Sequence, residues 1–258
     1  MEAEILLAHT LDVDRLHLYL NPDKPLSLEE REWYRAIIKK RHTGTPLQQL
    51  TGTTSFFGLP FEVNDETFIP RPETEELLDR ILQLAPRDHR IDCLDLGTGS
   101  GVIAVCLARF LPLSRVTAVD ISDTALQLAR RNAELNGVLD QIAFLESDWL
   151  DAIDGTFDLI VSNPPYVPIE ELGQLPKEVH QHEPHSALNG GRNGIEQIEE
   201  IIGQLPNHTH TDSIVLFEIG DGQGEAVVTQ FEQCGFVKVE SQTDLAGHER
   251  FVIARWPS

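Results

Sequence analysis

No apolar run among the 258 residues of the chain is long enough to span a bilayer, which leaves no transmembrane helix. The opening Met-Glu-Ala-Glu lacks the basic region of a signal peptide. Cysteine is scarce and odd in number: Cys93, Cys106 and Cys234 all sit in apolar contexts. They read as reduced, buried side chains, which excludes a disulfide framework and points to the cytoplasm. Basic residues are outnumbered: 20 Lys and Arg face 42 Asp and Glu, for a formal net charge of -22. That balance opposes tight binding to bare nucleic acid, which needs phosphate neutralisation, and favours a protein or small-molecule partner. Internal repeats and low-complexity tracts are absent. The length suits one large domain plus a smaller one.

The first 45 or so residues read as short helices, with apolar clusters at Ile5-Leu6-Leu7 and at Leu16, Leu18 and Leu20. Ser27 and Glu30 form a capping box, so a helix starts at Leu28, carries Trp33, Ala36 and Ile37 at helical spacing, and stops near Gly44. Its end, Lys39-Lys40-Arg41-His42, is either a solvated last turn suited to the helix dipole or a docking patch for an acidic partner. Thr53 to Phe57 and Phe61 to Asn64 are β-like, and Gly58-Leu59-Pro60 reads as the turn of a hairpin between two domains. In Ile69-Pro70-Arg71-Pro72-Glu73-Thr74-Glu75-Glu76 the prolines stiffen the entry to a helix that runs to about Leu84. Arg71 pairs with a nearby carboxylate or lies near a ligand.

From Ile91 onward strands and helices alternate, which means an α/β fold with a mostly parallel sheet and helices on both faces. Strands are expected at Ile91 to Leu96, Val116 to Val119, Ile142 to Leu145, Phe157 to Ser162, Ser213 to Ile219, Val237 to Glu240 and Phe251 to Ala254. In such sheets ligands bind beyond the carboxyl ends of the strands. Four of those ends carry polar or glycine-rich signals. Gly97-Thr98-Gly99-Ser100-Gly101 lets the backbone approach a ligand and opens a helix N-terminus. Its Gly-x-Gly-x-Gly spacing differs from the dinucleotide pattern. Asp120 is placed to receive ribose hydroxyls, or merely caps a helix with its neighbours. Asp148 can accept from an adenine amino group and Trp149 can flank the ring, although a lone Trp is more often core. Together these ends suit an adenosine-type cofactor without a pyrophosphate.

The fourth end is Asn163-Pro164-Pro165-Tyr166. Two prolines cannot donate to a ladder, so the strand stops and the chain leaves as a stiff, extended loop. Asn163 can accept from an NH2 group through its side-chain oxygen, and Tyr166 offers a flat face and a hydroxyl. The plain alternative is a proline-stiffened turn.

Together the glycine loop, the acidic strand end and Asn-Pro-Pro-Tyr resemble the Rossmann-like class I S-adenosyl-L-methionine-dependent methyltransferases that act on planar NH2 nitrogens. Pro46 to Gly52, Phe56 to Leu59, Ile69 to Glu75, Asp95 to Gly101 and Val161 to Tyr166 narrow the match to the release-factor glutamine methyltransferases (the PrmC/HemK family). Glu183-Pro184, Glu218-Ile219-Gly220 and Asp244 to Gly247 extend it over nearly the whole chain. Two features depart from the pattern: the helical region is short, and Glu199 stands where many members carry an arginine.

The resemblance implies a seven-stranded sheet, a helical substrate-docking domain over residues 1–50, a hairpin linker over 51–70 and a methyltransferase domain over 71–258. It implies methyl transfer to the glutamine amide in the Gly-Gly-Gln motif of bacterial peptide chain release factors, with S-adenosyl-L-homocysteine as the other product and translation termination as the process affected. Asn163, Pro164 and Tyr166 are then the catalytic residues, and Pro165 joins them against the substrate. Gly97 to Gly101, Asp120, Asp148, Trp149 and Asn163 hold the cofactor. No metal, nucleic acid or membrane is called for, and the protein is expected to act as a monomer.

Two rivals stand beside this reading. A DNA or RNA amino-methyltransferase shares the Asn-Pro-Pro-aromatic pattern but needs base flipping and a basic cleft. A non-catalytic nucleotide-binding regulator is possible on the same fold. His180, His182 and His185 suggest a metal cluster, yet their irregular spacing in a proline-flanked loop reads better as solvated imidazoles.

Overall fold

The computed structural model describes residues 1–258. Four helices come first: α1 (Glu2–Thr10), α2 (Arg15–Leu20), α3 (Leu28–His42) and α4 (Leu47–Thr51). The capping box is present, with Ser27 Oγ accepting from Glu30 N and Glu30 Oε2 accepting from Ser27 N. The two apolar clusters differ in exposure: Ile5, Leu6 and Leu7 are buried or partly buried, whereas Leu16 and Leu20 lie at the surface. Leu16, Leu20 and Trp33 are 65%, 69% and 55% exposed, while Leu6 and Ile37 are buried. A six-residue α2 has too little length to bury a face. Of the basic run, Arg41 is neither solvated nor free: it pairs with Glu2 at 2.8 Å and Glu178 at 2.7 Å.

A hairpin follows, with β1 (Thr53–Phe56) paired to β2 (Leu59–Glu62). Its turn is Phe57-Gly58, with φ of 49° and 75°, and not Gly58-Leu59-Pro60. Two consecutive positive φ values make the tight turn that matches strand twist. Pro60 sits inside β2 opposite Ser55, where a two-stranded sheet tolerates a missing donor. Glu75 Oε1 accepts from Phe57 N at 2.6 Å and steadies the turn. Phe56 and Phe61 are buried in the main core, each worth about 1.5–3 kcal/mol of burial. Asn132 fastens the hairpin, accepting from Glu62 N at 2.7 Å and donating to Glu62 O at 3.0 Å.

Then come α5 (Pro72–Leu84), β3 (Asp92–Leu96), α6 (Val102–Phe110), β4 (Arg115–Asp120), α7 (Asp123–Leu135), β5 (Ile142–Glu146) and β6 (Phe157–Ser162). The chain ends with α8 (Lys177–His182), α9 (Glu196–Gln204), β7 (Thr209–Glu218), α10 (Gly224–Gln233), β8 (Val237–Thr243) and β9 (Glu249–Arg255). The strands form one seven-stranded sheet in the order β5-β4-β3-β6-β7-β9-β8. The first five are parallel; β9 runs antiparallel to β7 and β8. β7 begins earlier than expected, because Thr209 to Asp212 carry no apolar alternation. Cys93 and Cys106 are buried as expected, whereas Cys234 is half-exposed.

Period-two alternation divides each strand between two cores. Ile214 and Leu216 face the core shared with α5 and α6; Val215 and Phe217 face the one shared with α9 and α10. Continued to the strand end, this period turns Glu218 toward α5. The strand order reverses between β3 and β6, whose ends pair Leu96 with Ser162. Such a reversal opens a crevice at the carboxyl ends. The glycine loop and Asn-Pro-Pro-Tyr leave the sheet side by side there.

Candidate active site

A cavity of about 340 Å³ fills that crevice, a size suited to a small-molecule site. The structure brings Gly97, Thr98, Gly99, Ser100, Asp120, Asp148, Trp149 and Asn163 to Tyr166 onto its wall. Gly101 is not on the wall. It caps α6 with φ of 83°, and a Cβ there would lie 2.8 Å from that of Ala129. Its hydrogen side chain serves the packing of α6 on α7.

The glycine loop is braced from below by two carboxylates. Asp95 Oδ2 accepts from Thr98 Oγ1 at 2.6 Å and from Ala104 N at 3.0 Å. Burial pushes the Asp95 carboxyl up to about 7, against those two donors. Asp120 Oδ2 accepts from Gly99 N at 2.8 Å, and Oδ1 from Ser122 N at 3.0 Å. Burial raises the Asp120 carboxyl too, opposed by the N–H groups of Ser122, Gly99 and Ile121. Each oxygen keeps a second lone pair for a ligand hydroxyl. Trp149 donates through Nε1 to Gln197 Oε1 at 3.0 Å, and its ring edge would be 3.3 Å from a Cβ at Gly97. Gly97 is therefore the residue that leaves both the ring and a ligand room. Asp148 stands exposed at the rim.

Opposite lies Asn163. Its Nδ2 donates to Thr74 Oγ1 at 3.1 Å, and Thr74 Oγ1 donates to Glu218 Oε2 at 2.8 Å. Tyr166 donates its hydroxyl to Glu218 Oε1 at 3.2 Å. Glu218 is wholly buried, and burial pushes its carboxyl up to about 7, against Thr74, Arg250 and Tyr166. Burial beside Glu218 also raises the Tyr166 phenol. From behind, Gln223 Nε2 donates to Tyr166 O at 2.9 Å. A Cβ at Gly190 would lie 2.8 Å from Pro165 O, and one at Gly194 would collide with Tyr166 O. The amide oxygen of Asn163 and the carbonyl of Pro164 are left without protein donors.

Sequence reasoning missed Thr74, Glu218, Gln197 and the wall formed by Ser186 to Leu188. A signal existed for one of them: a glutamate closing the apolar run Ile214 to Phe217. Arg71 stays off the cavity. It pairs with the buried Glu183 and stacks 4.6 Å over Phe68. His180 and His185 face each other with centroids 5.2 Å apart, and His182 offers its carbonyl to Gln49 at 2.6 Å. No three His, Cys, Asp or Glu side chains gather to hold a metal.

The methyltransferase small domain matches residues 74–179, and the PrmC N-terminal domain matches residues 1–52. The release factor glutamine methyltransferase of Geobacter sulfurreducens is 40% identical over 256 residues, covering 99% of this chain and 89% of that one. Among solved structures, a methyltransferase from Pyrococcus furiosus superposes with a TM-score of 0.60 at 18% identity, covering 87% of this chain and 98% of that one. The T. thermophilus 16S rRNA methyltransferase solved with AdoMet and guanosine gives 0.56 at 16% identity, covering 79% and 49%. Those two likenesses concern the fold.

Proposed function

The chain belongs to the release factor glutamine methyltransferases, and on that premise we propose that Asn163 and Pro164 hold the amide that becomes methylated. The methyl group passes from S-adenosyl-L-methionine to the side-chain amide nitrogen of the glutamine in the Gly-Gly-Gln motif of bacterial peptide chain release factors. The observation that carries the residue roles is the pair of acceptors left without protein donors, Asn163 Oδ1 and Pro164 O, on the wall of a cavity that also holds the glycine loop.

The residues present fit the cofactor. Gly97 to Ser100 leave room for close backbone approach, and Asp120 has lone pairs left for ribose hydroxyls. Asp148 and Trp149 are on the wall where an adenine would lie. When bound, the cofactor supplies an electrophilic sulfonium methyl: the N–C bond forms as the S–C bond breaks, its electron pair stays on sulfur, and the nitrogen releases one proton to water.

An amide nitrogen is a weak nucleophile because its lone pair is delocalised. Asn163 Oδ1 and Pro164 O accept its two N–H bonds, which turns the lone-pair face toward the methyl donor and stabilises the developing positive charge. Pro165 and Tyr166 pack against the glutamine stem. The rigid Pro-Pro backbone keeps the two acceptors at a fixed separation.

We also divide the chain into a docking domain (1–50), a hairpin linker (51–70) and a methyltransferase domain (71–258). The exposed apolar side chains of α2 and α3 support docking of a protein. The test is methyl transfer to purified release factor, with the methyl located on the Gly-Gly-Gln glutamine by mass spectrometry. Transfer to DNA or RNA but not to release factor would overturn the reading.

A further inference from the structure

Glu218 lies behind the cavity wall and touches no part of the cavity itself, yet both ends of Asn163-Pro164-Pro165-Tyr166 are tied to its carboxylate. We infer that Glu218 is a positioning residue that decides which end of the Asn163 amide faces the acceptor, acting through the hydroxyl of Thr74. This rests on the reading of Asn163 as the amide-holding residue.

Donor count sets the direction of these bonds. An ionised carboxylate only accepts hydrogen bonds. Thr74 has one hydroxyl proton, and it points at Glu218 Oε2 at 2.8 Å. The remaining lone pairs of Thr74 can only accept. Asn163 must therefore turn its NH2 toward Thr74, at 3.1 Å, and its oxygen toward the cavity. The other carboxylate oxygen takes the Tyr166 hydroxyl, which holds the ring that flanks the substrate stem. Without a group behind Thr74 that only accepts, the relay has two directions. A donor in that place would bond to Thr74 Oγ1, free the hydroxyl proton for Asn163 Oδ1, and turn the NH2 into the cavity. Two NH2 groups would then face each other and the acceptor amide would have no partner. A buried donor or acceptor left unpaired is costly, so the relay inverts as a unit.

Glu218→Gln is close to isosteric and permits that inversion. Its Oε1 still accepts from Tyr166 while its Nε2 donates to Thr74, so every hydrogen bond survives and the two through Thr74 run in the wrong direction. The expected result is a folded enzyme with unchanged cofactor affinity by calorimetry and a kcat on release factor lower by about tenfold or more. Asn163→Asp supplies an acceptor at both ends and suits the inverted relay. The double variant Asn163→Asp, Glu218→Gln is therefore expected to turn over faster than either single variant, the reverse of independent losses. A merely structural Glu218 predicts multiplied losses.

Should Glu218→Gln fail to fold, Thr74 carries the test. Thr74→Ser keeps the hydroxyl and is expected to keep kcat; Thr74→Val removes it and is expected to lower kcat about tenfold with cofactor affinity unchanged. Wild-type kcat in Glu218→Gln or in Thr74→Val, or simple multiplication in the double variant, would overturn the relay. Asn163→Ala separates the two levels: if it also turns over normally, the role of Asn163 falls; if it alone is slow, only the relay does.

Discussion

On the glycine-loop wall of the cavity, the bracing bonds run from backbone N–H and a nearby hydroxyl to two carboxylates. The partners are close in sequence: Asp95 reaches Thr98 across three residues and Asp120 reaches Gly99 across 21. On the Asn163 wall the bonds join side chains that lie far apart, 89 residues from Asn163 to Thr74 and 144 from Thr74 to Glu218. The first wall presents backbone whose shape is set by glycines and fixed acceptors. The second presents the fixed carbonyl of Pro164 beside the Asn163 oxygen, whose direction on the proposed relay depends on the hydroxyl of Thr74. A cofactor site of the first kind tolerates loss of a hydrogen bond as weaker binding. A reacting amide held by the second kind suffers loss of orientation, which appears in turnover.

Asn163→Ala is the strongest way to break this contrast. On the proposed role it removes an acceptor that matters most as the nitrogen becomes cationic, and kcat on release factor is expected to fall on the order of 10²–10³-fold. Cofactor affinity by calorimetry should change far less. Asn163→Asp keeps an acceptor and should retain more activity than Ala. An Ala variant with weakened cofactor binding and normal turnover at saturation would exchange the roles of the two walls.

Asp120→Ala probes the other wall. It removes the acceptor for Gly99 N and Ser122 N together with the proposed ribose contact. Cofactor affinity should fall about tenfold or more, with kcat at saturating cofactor changed less than in Asn163→Ala. Unchanged affinity in the folded variant would remove Asp120 from the cofactor site.

The same contrast explains what was legible in the sequence. The strands and helices of the sheet domain, the glycine loop and Asp120 all announce themselves within a few residues of local pattern. Thr74 and Glu218 do not, because their meaning lies in each other: a hydroxyl and a carboxylate that meet only once α5 covers the end of β7. Gly190 and Gly194 carry no signal either, since what requires them is the carbonyls of Pro165 and Tyr166 behind the loop. Pro60 misled the hairpin reading because its ring suggests a turn, while Phe57 with its positive φ gives no residue-type warning. The exposure of Leu16, Leu20 and Trp33 was not legible either, since composition does not tell an apolar residue that is buried from one that awaits a partner.

On the proposed relay, Glu218 is expected to give the Asn163 wall a pH dependence. Its carboxyl is faced by Thr74 and Glu73 on α5, by Tyr166 in the loop after β6 and by Arg250 on β9, and burial pushes it up to about 7. Protonated, it can donate to Thr74 and release the relay. Wild-type kcat should therefore fall as pH drops through about 7, and the Glu218→Gln variant should lack that limb. Stability has the opposite sign. The folded carboxyl titrates above its unfolded value of 4.5, so its contribution is fully present below about 4.5 and is lost as pH rises through about 7. Relative to Glu218→Gln, the wild type should lose up to about 3 kcal/mol over that window by denaturant unfolding. A wild-type and variant pair with parallel profiles in both measurements would show that Glu218 does not titrate there.

The smallest effect expected lies outside both walls, and its value is to show that they work without help. Leu16, Tyr19, Leu20, Leu28 and Trp33 expose apolar surface on α2 and at the start of α3, and none of them lines the cavity. If that surface docks the body of the release factor, Trp33→Asp or Leu20→Glu removes a contact that is the same in the ground state and the transition state. Such a loss raises KM and leaves kcat alone. KM for intact release factor should rise about three- to tenfold, the cost of one surface apolar contact replaced by a desolvated charge. A short Gly-Gly-Gln peptide, which reaches only the cavity, should show no change in either constant, and cofactor affinity should also hold. A rise in KM for the peptide equal to that for the intact factor would mean that the helices act on the cavity itself. The ion pair from Arg41 to Glu178 and the bond from Gln49 to the carbonyl of His182 would then be the route to examine, because they join the helical segment to α8, which leads directly into the cavity wall at Pro184 and Ser186 to Leu188.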